Sequence, residues 1–510
     1  MLTGALVLMS TLTTSKDFAR RAADWRNGAV VYQVMVDRFA PSVNLEAKKA
    51  LYASPKRLLP WTTEPKQGKN NEKLGMWSHE IDFWGGDLAS FESKQSYIKE
   101  LGADVVYFLP IFEGFTNHKY DTMDYTKIDP QYGTREDLRR VVKGLHRDGM
   151  KVMLDGVFNH LSQYAPIFTA ARADATDARR DWFFFDDKGA YRAYANVRNM
   201  PAWNLENKSV RDYLWNAKSS IIRQYLKDGV DGWRLDVAFE VGPQWCDEIT
   251  KAAHKEKNGS WVVGEVAGYP SDWFPQLDGT YNFTPFAIGR AMLDGKMSGG
   301  QASLALQHMV EDAGIENLLR SWVHTDNHDT ARLASVVPGF EDRNFVRAIQ
   351  FLVPGSPVLY YGSELGMEGK DDPMNRAPMR WDLVSDSNPD LASTRKLVAL
   401  RKESPALRYG DCLGLATEKL LGFVRTTDKV REAVIVVANP TSKAVTETFP
   451  SRVGRIMSWG ELEDALSGTK YRSVNGMLTV TVPPKSVQVL RPITSATDGI
   501  SRYHRIDPLN

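Results

Sequence analysis

Residues 151–160 read KVMLDGVFNH, an apolar run of strand character that ends in polar side chains. Three later segments repeat the arrangement: GWRLDV at 232–237, VGEV at 263–266 and HTDNHD at 324–329. Carboxylates delivered by successive strand ends suit glycosidic-bond cleavage, which needs a nucleophile, a proton donor and acceptor, and a group that braces the cationic transition state. The candidate catalytic residues are Asp236, Glu265 and Asp329.

These segments belong to a longer series in which β-type runs alternate with helical stretches. Amphipathic stretches at 135–147, 210–226 and 244–254 fit helices that cross between parallel strands. Eight repeats of strand and helix predict an α/β fold, the (β/α)8 or TIM barrel, whose catalytic groups gather at the C-terminal strand ends. The predicted strands are 30–36, 105–109, 151–157, 232–237, 261–265, 280–283, 322–325 and 357–361.

The series is interrupted twice and then replaced. Residues 161–205 are rich in Asp, Arg and aromatics and predict a small domain inserted after the third strand. Residues 40–80, rich in Lys, Pro and Asn, form either a loop that shapes the cleft or a solvated, poorly ordered one. Short strand-like runs at 421–426, 433–438, 444–449, 477–482 and 486–490 predict a C-terminal antiparallel β-sandwich.

The predicted domain organisation therefore has five parts. They are an N-terminal extension (1–29), the barrel (30–160 and 206–403), the inserted domain B (161–205), the β-sandwich (404–493) and a loosely held tail (494–510).

Composition limits the classes of partner. The chain has 510 residues, 43% of them hydrophobic, and a net charge of +1, so we expect no attraction to nucleic acid or anionic lipid and a neutral substrate instead. Two cysteines provide no disulfide framework, and no apolar run is long enough to span a membrane. We expect a cytoplasmic protein. Export is the alternative, because 2–12 could be the core of a signal peptide. The basic residues that usually precede such a core are missing, which favours the cytoplasm.

Taken together, the four segments resemble the signature regions of the α-amylase family, glycoside hydrolase family thirteen. HKYDTMDY at 118–125, DPQYGT at 129–134 and YYGSE at 360–364 extend the resemblance, which runs from about 30 to 492. It implies that Asp236 is the nucleophile, Glu265 the general acid/base and Asp329 the stabiliser of the transition state. One such motif would be weak, but several in the right order are specific.

Chemistry agrees with these implied roles. Arg234 and Asp236 are two residues apart on a strand, so their side chains leave the same face and the guanidinium can keep Asp236 ionised. Glu265 must begin protonated, which requires a pKa raised by an enclosed site and neighbouring carboxylates.

The resemblance also implies residues that bind the sugar. His160 and His328 match histidines that hydrogen-bond its hydroxyls, and Tyr120 matches an aromatic that stacks on its apolar face. Asp372 and Arg376 match a pair that binds a non-reducing-end glucose, although a structural ion pair is an equal alternative. The predicted substrate-binding residues are Tyr120, His160, Arg234, His328, Glu240, Asp372 and Arg376.

The subfamily signals favour cyclomaltodextrinases, neopullulanases and maltogenic amylases. Glu240 stands where many secreted α-amylases carry a calcium-ligating histidine, so we expect no required cofactor and no metal ligand. Asn159 matches a calcium ligand of some relatives or caps a loop. Acids of the inserted segment leave a different calcium site open: Asp174, Asp177, Asp181, Asp186 and Asp187.

MPAWNL at 200–205 and DDPMNRAPMRW at 371–381 also resemble those enzymes, with Trp203 a departure. We expect the barrel to begin near residue 30, which leaves no room in this sequence for the additional N-terminal β-domain that builds the dimer of those relatives. A pocket made by such a dimer is therefore not inferred, the preference for cyclic substrates is weakened, and the oligomeric state stays open.

The predicted function is hydrolysis of α-1,4 bonds in maltooligosaccharides, and in cyclodextrins, with retention. The alternatives are an endo-acting α-amylase on starch and a glucanotransferase or trehalose-forming isomerase that uses the same site. A noncatalytic barrel is disfavoured because all three acids are present.

Overall fold

The centre of the protein is a closed barrel of eight parallel strands, as the alternation predicts. The computed structural model describes residues 13–493. Almost every strand residue is buried, because helices cover the outside and side chains fill the interior. The barrel closes where Val31 pairs with both Val105 and Val358. Its strands are β1 Val31–Val34, β2 Val105–Phe108, β3 Lys151–Gly156, β4 Gly232–Leu235, β5 Trp261–Gly264, β6 Gly279–Asn282, β7 Trp322–Val323 and β8 Ser356–Tyr360.

All eight strands end one or two residues before their predicted limits. Asp236 and Glu265 thus stand immediately beyond β4 and β5, in the connections on the C-terminal face of the barrel. The largest difference concerns β1, which stops at Val34 and is followed by a short helix, Val36–Phe39.

Helices fill the connections between the strands. The predicted helix 135–147 is confirmed, and Thr134 starts it with a capping box in which its hydroxyl accepts from the Asp137 N–H. The α-helices are Ser15–Ala23, Val36–Phe39, Leu88–Ser93, Gln95–Leu101, Arg135–Arg147, Pro166–Ala173, Lys208–Arg211, Ile221–Lys227, Ala238–Val241, Pro243–Glu256, Thr284–Leu293, Gly299–Ala313, Ile315–Leu319, Leu333–Val336, Phe340–Leu352, Pro389–Glu403 and Pro405–Tyr409.

One helix prediction is wrong in its continuity. The stretch 210–226 is covered by three elements: the helix Lys208–Arg211, a π-helical turn over Asp212–Asn216 and a separate helix Ile221–Lys227. The chain becomes extended at Ala217, and the Ser220 hydroxyl donates to the Trp215 carbonyl at 2.9 Å. That bond satisfies a carbonyl that the interrupted helix leaves without its usual partner.

Residues 40–83 form a folded segment with an apolar cluster of their own. Tyr52, Met76, Ile81 and Phe83 are buried together. Arg57–Leu58 pairs in parallel with Asp82–Phe83, so the middle of the segment is tied to its C-terminal end. This excursion is therefore a packed segment and not the solvated, poorly ordered loop that was the second interpretation.

The inserted segment 161–205 is held mainly by aromatic packing. It contains the helix Pro166–Ala173 and isolated bridges, one of which joins His160 to Ala202. Phe168 lies edge-on to Phe183 at 5.0 Å, and Phe183 stacks on Trp203 at the same distance. His160 is thus fixed between the barrel and this segment.

The predicted C-terminal antiparallel β-domain is confirmed, with a difference in its topology. Its eight strands form one continuous sheet that curls into a half-barrel instead of two separate sheets. Alternate residues of Met477–Val482 are buried, as expected for a strand with one face on a core. In chain order the strands are Asp411–Gly414, Leu421–Thr426, Val434–Asn439, Val445–Pro450, Glu461–Asp464, Lys470–Val474, Met477–Val482 and Ser486–Pro492.

Two predictions, the signal-peptide-like stretch 2–12 and the tail 494–510, fall outside the described residues. Across 13–493, none of the helices combines the length and apolar content needed to cross a bilayer.

Candidate active site

One buried guanidinium joins three carboxylates beneath the C-terminal face of the barrel. Arg234 Nη1 lies 2.7 Å from Asp155 Oδ1 and 2.8 Å from Asp236 Oδ1. Its Nη2 lies 2.8 Å from Glu265 Oε2. Arg234 is fully buried, so it is placed to hold these carboxylates and not to touch a sugar, although the sequence suggested substrate contact.

A cavity of about 440 Å³ opens above these groups. It is lined by all three candidate catalytic acids and by five of the predicted binding residues. Arg234 and Glu240 are the two predicted residues outside its lining. The predicted residues that face the cavity are Asp236, Glu265, Asp329, Tyr120, His160, His328, Asp372 and Arg376.

The pKa values of two of the candidate catalytic acids, Asp236 and Asp329, are shifted in opposite directions. Burial raises the pKa of Asp236 well above its ordinary value, Arg234 opposes the shift, and the neighbouring Glu265, Asp155 and Asp329 add to it. The Arg234 contact expected from the sequence is therefore present, but it does not by itself keep Asp236 at a low pKa.

Asp329 is in the opposite situation. Burial acts to raise its pKa, but His328 and Arg376 outweigh burial and hold the pKa below its ordinary value. His328 Nε2 lies 3.0 Å from Asp329 Oδ2, and Arg376 Nη2 lies 3.2 Å from Oδ1. Asp329 is therefore an ionised group at the mouth of the cavity, with 45% of its side chain exposed.

Tyr120 is held against His328, with ring centroids 5.3 Å apart and the planes 5° from parallel. Its hydroxyl lies 2.9 Å from Asp155 Oδ2 and 2.6 Å from His328 Nε2. The preceding residue, Lys119, has a φ of 61° and is buried in an ion pair with Asp129. This turn directs the aromatic ring into the cavity.

His160 is an unpaired imidazole at the wall of the cavity. Among residues 13–493, neither of its ring nitrogens has a hydrogen-bond partner, and Nε2 lies 3.9 Å from Asp236 Oδ2. Burial lowers its pKa to about 3, so it is neutral near pH 7. Its ring stacks on Tyr194 at 4.8 Å. A buried imidazole with free nitrogens suits a ligand hydroxyl.

Asp372 and Arg376 form the expected pair. Arg376 Nη1 lies 3.3 Å from Asp372 Oδ1, and its Nε donates to the His328 carbonyl at 2.9 Å. Burial opposes ionisation of Asp372, but Arg376 and His79 lower its pKa to about 2. Arg376 thus connects Asp372 to Asp329 across the cavity.

Glu240 lies in a neighbouring cavity of about 550 Å³, which shares Tyr194 with the first. There it accepts a hydrogen bond of 2.9 Å from Asn159 Nδ2. The two residues matched to calcium positions therefore contact each other. Within 13–493, no three His, Cys, Asp or Glu side chains are grouped to hold a metal ion.

Sequence reasoning missed several residues that shape the cavity. Val237 adopts left-handed angles (φ 39°, ψ 48°), which are strained for a β-branched residue, and its N–H donates to Glu265 Oε2 at 2.8 Å. Glu80 and His118 also line the cavity. The sequence signal for Glu80 was its position at the end of a loop after β1, and the signal for His118 was its place in the HKYDTMDY motif beside Tyr120.

Comparison with known proteins agrees with this geometry. Residues 33–395 match the model of the α-amylase catalytic domain. The chain is 31% identical over 480 residues to a cyclomaltodextrinase of Geobacillus thermopakistaniensis, covering 91% of this chain and 77% of that protein. It is 30% identical over 493 residues to neopullulanase 2 of Thermoactinomyces vulgaris, covering 92% and 78%.

The cyclic α-maltosyl-(1→6)-maltose hydrolase of Arthrobacter globiformis, solved with that cyclic sugar, has a similar structure. Its TM-score is 0.77 at 25% identity, with 92% of this chain and 99% of that chain covered. From the matched barrel and the carboxylates at its strand ends, we conclude that the chain belongs to the α-amylase family and is a retaining glycoside hydrolase.

Proposed function

We propose that the protein hydrolyses α-1,4-glucosidic bonds of maltooligosaccharides, and of cyclodextrins, through a covalent glycosyl–Asp236 intermediate. The observation that carries the proposal is the convergence of Asp236, Glu265 and Asp329 on one cavity above Arg234. The names of the relatives, cyclomaltodextrinase, neopullulanase and maltogenic amylase, support the substrate class.

In the first step a carboxylate oxygen of Asp236 attacks the anomeric carbon. The glycosidic C–O bond breaks while Glu265 gives its proton to the departing oxygen. In the second step Glu265 takes a proton from water, the water oxygen attacks the same carbon, and the bond to Asp236 breaks. Two inversions give net retention. Ionised Asp329 stabilises the positive charge of both transition states.

Retention requires the nucleophile and the acid/base to be close, about 5–5.5 Å apart. Contact of both carboxyls with one guanidinium supports such a separation, since inverting enzymes leave space for a water molecule between theirs. The raised pKa of Asp236 reflects burial and the neighbouring carboxylates, and catalysis requires an ionised Asp236 and a proton on Glu265 when substrate is bound.

Short chains are the expected substrates because the cavity carries a charged clamp. Asp372 and Arg376 offer several hydrogen bonds to the hydroxyls of a non-reducing end, which an internal starch segment cannot use equally well. An endo-acting α-amylase or a glucanotransferase would have the same acids but would not require this preference.

The test is a product analysis on maltotriose, maltohexaose, β-cyclodextrin, pullulan and starch, with the anomer first released followed by proton NMR. We expect α-anomers and faster turnover of the oligosaccharides than of starch. A β-anomeric product would exclude the retaining mechanism. Products longer than the substrate, increasing with its concentration, would favour transfer over hydrolysis.

We propose that calcium is not required. The contact between Asn159 and Glu240 supports this. Both residues stand at positions that match calcium ligands of relatives, and here they hydrogen-bond to each other. The acids of the inserted segment leave a different calcium site as the alternative.

We propose a cytoplasmic location. A relative named intracellular maltogenic amylase, from Bacillus subtilis, is 32% identical over 431 residues and supports it. Cell fractionation of the native host tests the location, and recovery of the activity outside the cytoplasm would contradict it.

A further inference from the structure

Contacts across the cavity identify which end receives which part of the substrate. Glu265 contacts the Val237 N–H and Arg234, and within residues 13–493 no hydrogen bond or ion pair joins it to Arg376 or Asp372. Away from it, Asp329 contacts Arg376 and Arg376 contacts Asp372. Because the acid/base protonates the leaving group, the leaving group lies on the Glu265 side. The opposite end therefore holds the non-reducing part of the chain.

That opposite end is built partly by the folded segment 40–83. His79 Nε2 lies 3.5 Å from Asp372 Oδ2. The Gly68 N–H donates to His79 Nδ1 at 3.0 Å, so the ring proton is on Nε2 and faces the carboxylate. A Cβ at Gly68 would lie 2.6 Å from the backbone nitrogen of His79 and 3.0 Å from its Nδ1, so this approach requires glycine.

A second imidazole and carboxylate repeat the arrangement beside the first. The Tyr120 N–H donates to His118 Nδ1 at 3.1 Å, which directs the Nε2 proton of His118 toward Glu80 Oε1, 3.6 Å away. The Trp77 N–H donates to the other oxygen of Glu80 at 2.7 Å. The backbone thus fixes the orientation of both members of the pair.

These contacts leave binding capacity for a ligand. Distances of 3.5 and 3.6 Å are too long for good hydrogen bonds, so the oxygens of Glu80 and Asp372 can still accept from hydroxyl groups. Burial disfavours ionisation of Glu80, but His118 and the Trp77 N–H prevail and lower its pKa. With 17% of its side chain exposed, Glu80 faces the cavity as an ionised acceptor.

We propose that Glu80 and His118 form an end wall that binds hydroxyls of the non-reducing terminal glucose and makes the enzyme select chain ends. His79 is a positioning residue that acts through Asp372. The proposal rests on the proposed function and adds specificity residues from the 40–83 segment. Each charged hydrogen bond formed only with a free chain end favours cleavage near that end.

The test compares maltoheptaosides whose terminal O4 and O6 are free with the same compounds carrying a 4,6-ethylidene block. We expect the wild type to cleave the free compound at least about tenfold better in kcat/KM, the effect of losing one charged hydrogen bond. Glu80→Ala should raise KM for the free compound about tenfold and reduce this discrimination to less than about threefold. Glu80→Gln and His118→Gln should give intermediate values.

Glu72→Gln is the matched control, because Glu72 is an exposed acid of the same segment. It should keep the wild-type ratio. If Glu80→Ala does not fold, Glu80→Gln and His118→Gln test the proposal through the same ratio of kcat/KM, since both keep most of the side-chain volume. A Glu80 variant with the wild-type ratio between free and blocked substrates overturns the end wall. If the wild type cleaves neither the free nor the blocked compound, the proposed function itself is contradicted.

Discussion

Arg234 Nη1 lies 2.8 Å from Asp236 Oδ1, and the same guanidinium reaches Asp155 and Glu265 from the other strands. A single cation therefore neutralises part of the charge of three carboxylates and fixes the distance between the two that react. Its burial makes the arrangement rigid, since the planar fork can satisfy several carboxylates only in one orientation.

Replacing Arg234 by Lys should lower kcat at least about 100-fold, because one ammonium cannot hold both Asp236 and Glu265 in place and small misplacements cost that much. Steady-state kinetics on maltotriose measures the loss. Arg347→Lys is the control, since it alters a buried ion pair with Asp390 at 3.0 Å, away from the cavity. Both variants should lose stability, but equal losses of kcat would contradict the role of Arg234.

Asp236→Asn should lower kcat by at least about 10³-fold because the nucleophile is removed, while the thermal unfolding midpoint stays near that of the wild type. Measurement on maltohexaose with a melting curve separates the two effects. Wild-type-like turnover by this variant would refute the assignment.

Glu265→Gln should lose about 10²–10⁴-fold on maltooligosaccharides but much less on aryl glycosides with activated leaving groups, which need little protonation. The comparison of kcat/KM for the two classes is the readout. Equal losses on both would show that Glu265 does not protonate the leaving group.

Arg376→Ala should raise KM for maltotriose more than it lowers the rate on starch. The clamp with Asp372 at 3.3 Å disappears, and Asp329 loses its contact at 3.2 Å. Initial rates over a range of both substrates test this. If the wild type already degrades starch faster and the variant keeps that ranking, the endo-acting alternative is the better description.

Treatment with EDTA followed by gel filtration should leave activity on maltotriose unchanged, because Asn159 and Glu240 are engaged with each other. Activity and thermal unfolding are measured before and after, with calcium and magnesium added back separately. Loss of activity that only calcium restores would contradict this expectation and direct attention to the acids of the inserted segment.

His324 gives a pH-dependent contribution to stability. Burial lowers its pKa from 6.5 to about 3, so in this pH range the unfolded chain binds a proton that the folded protein does not. Its contribution to the free energy of unfolding therefore falls as the pH drops below about 6.5, by about 1.4 kcal/mol between pH 7.5 and 5.5. In urea unfolding, the free energy of unfolding of His324→Gln should fall by about 1.4 kcal/mol less than that of the wild type between pH 7.5 and 5.5. An unchanged slope would mean that His324 is protonated in the folded state.

The sequence determined the barrel, because alternation of apolar runs and amphipathic helices is a local property of each element. Arg135–Arg147 has its period in its own residues and its N-cap in the adjacent Thr134. By contrast, the break between Asp212–Asn216 and Ile221–Lys227 depends on bonds made after folding, and periodicity alone predicted a single helix.

Within the site, the sequence was enough to predict that Asp236, Glu265 and Asp329 would meet, because parallel strands of a barrel all end at the same face. The way these acids are held depends on contacts that form when the chain packs. Arg234 reaches residues of β3 and of the β5 connection, Val237 takes a strained left-handed backbone, and Glu80 meets His118 from a loop after β1. These contacts join residues distant in sequence, and their geometry is set by packing that no local pattern records.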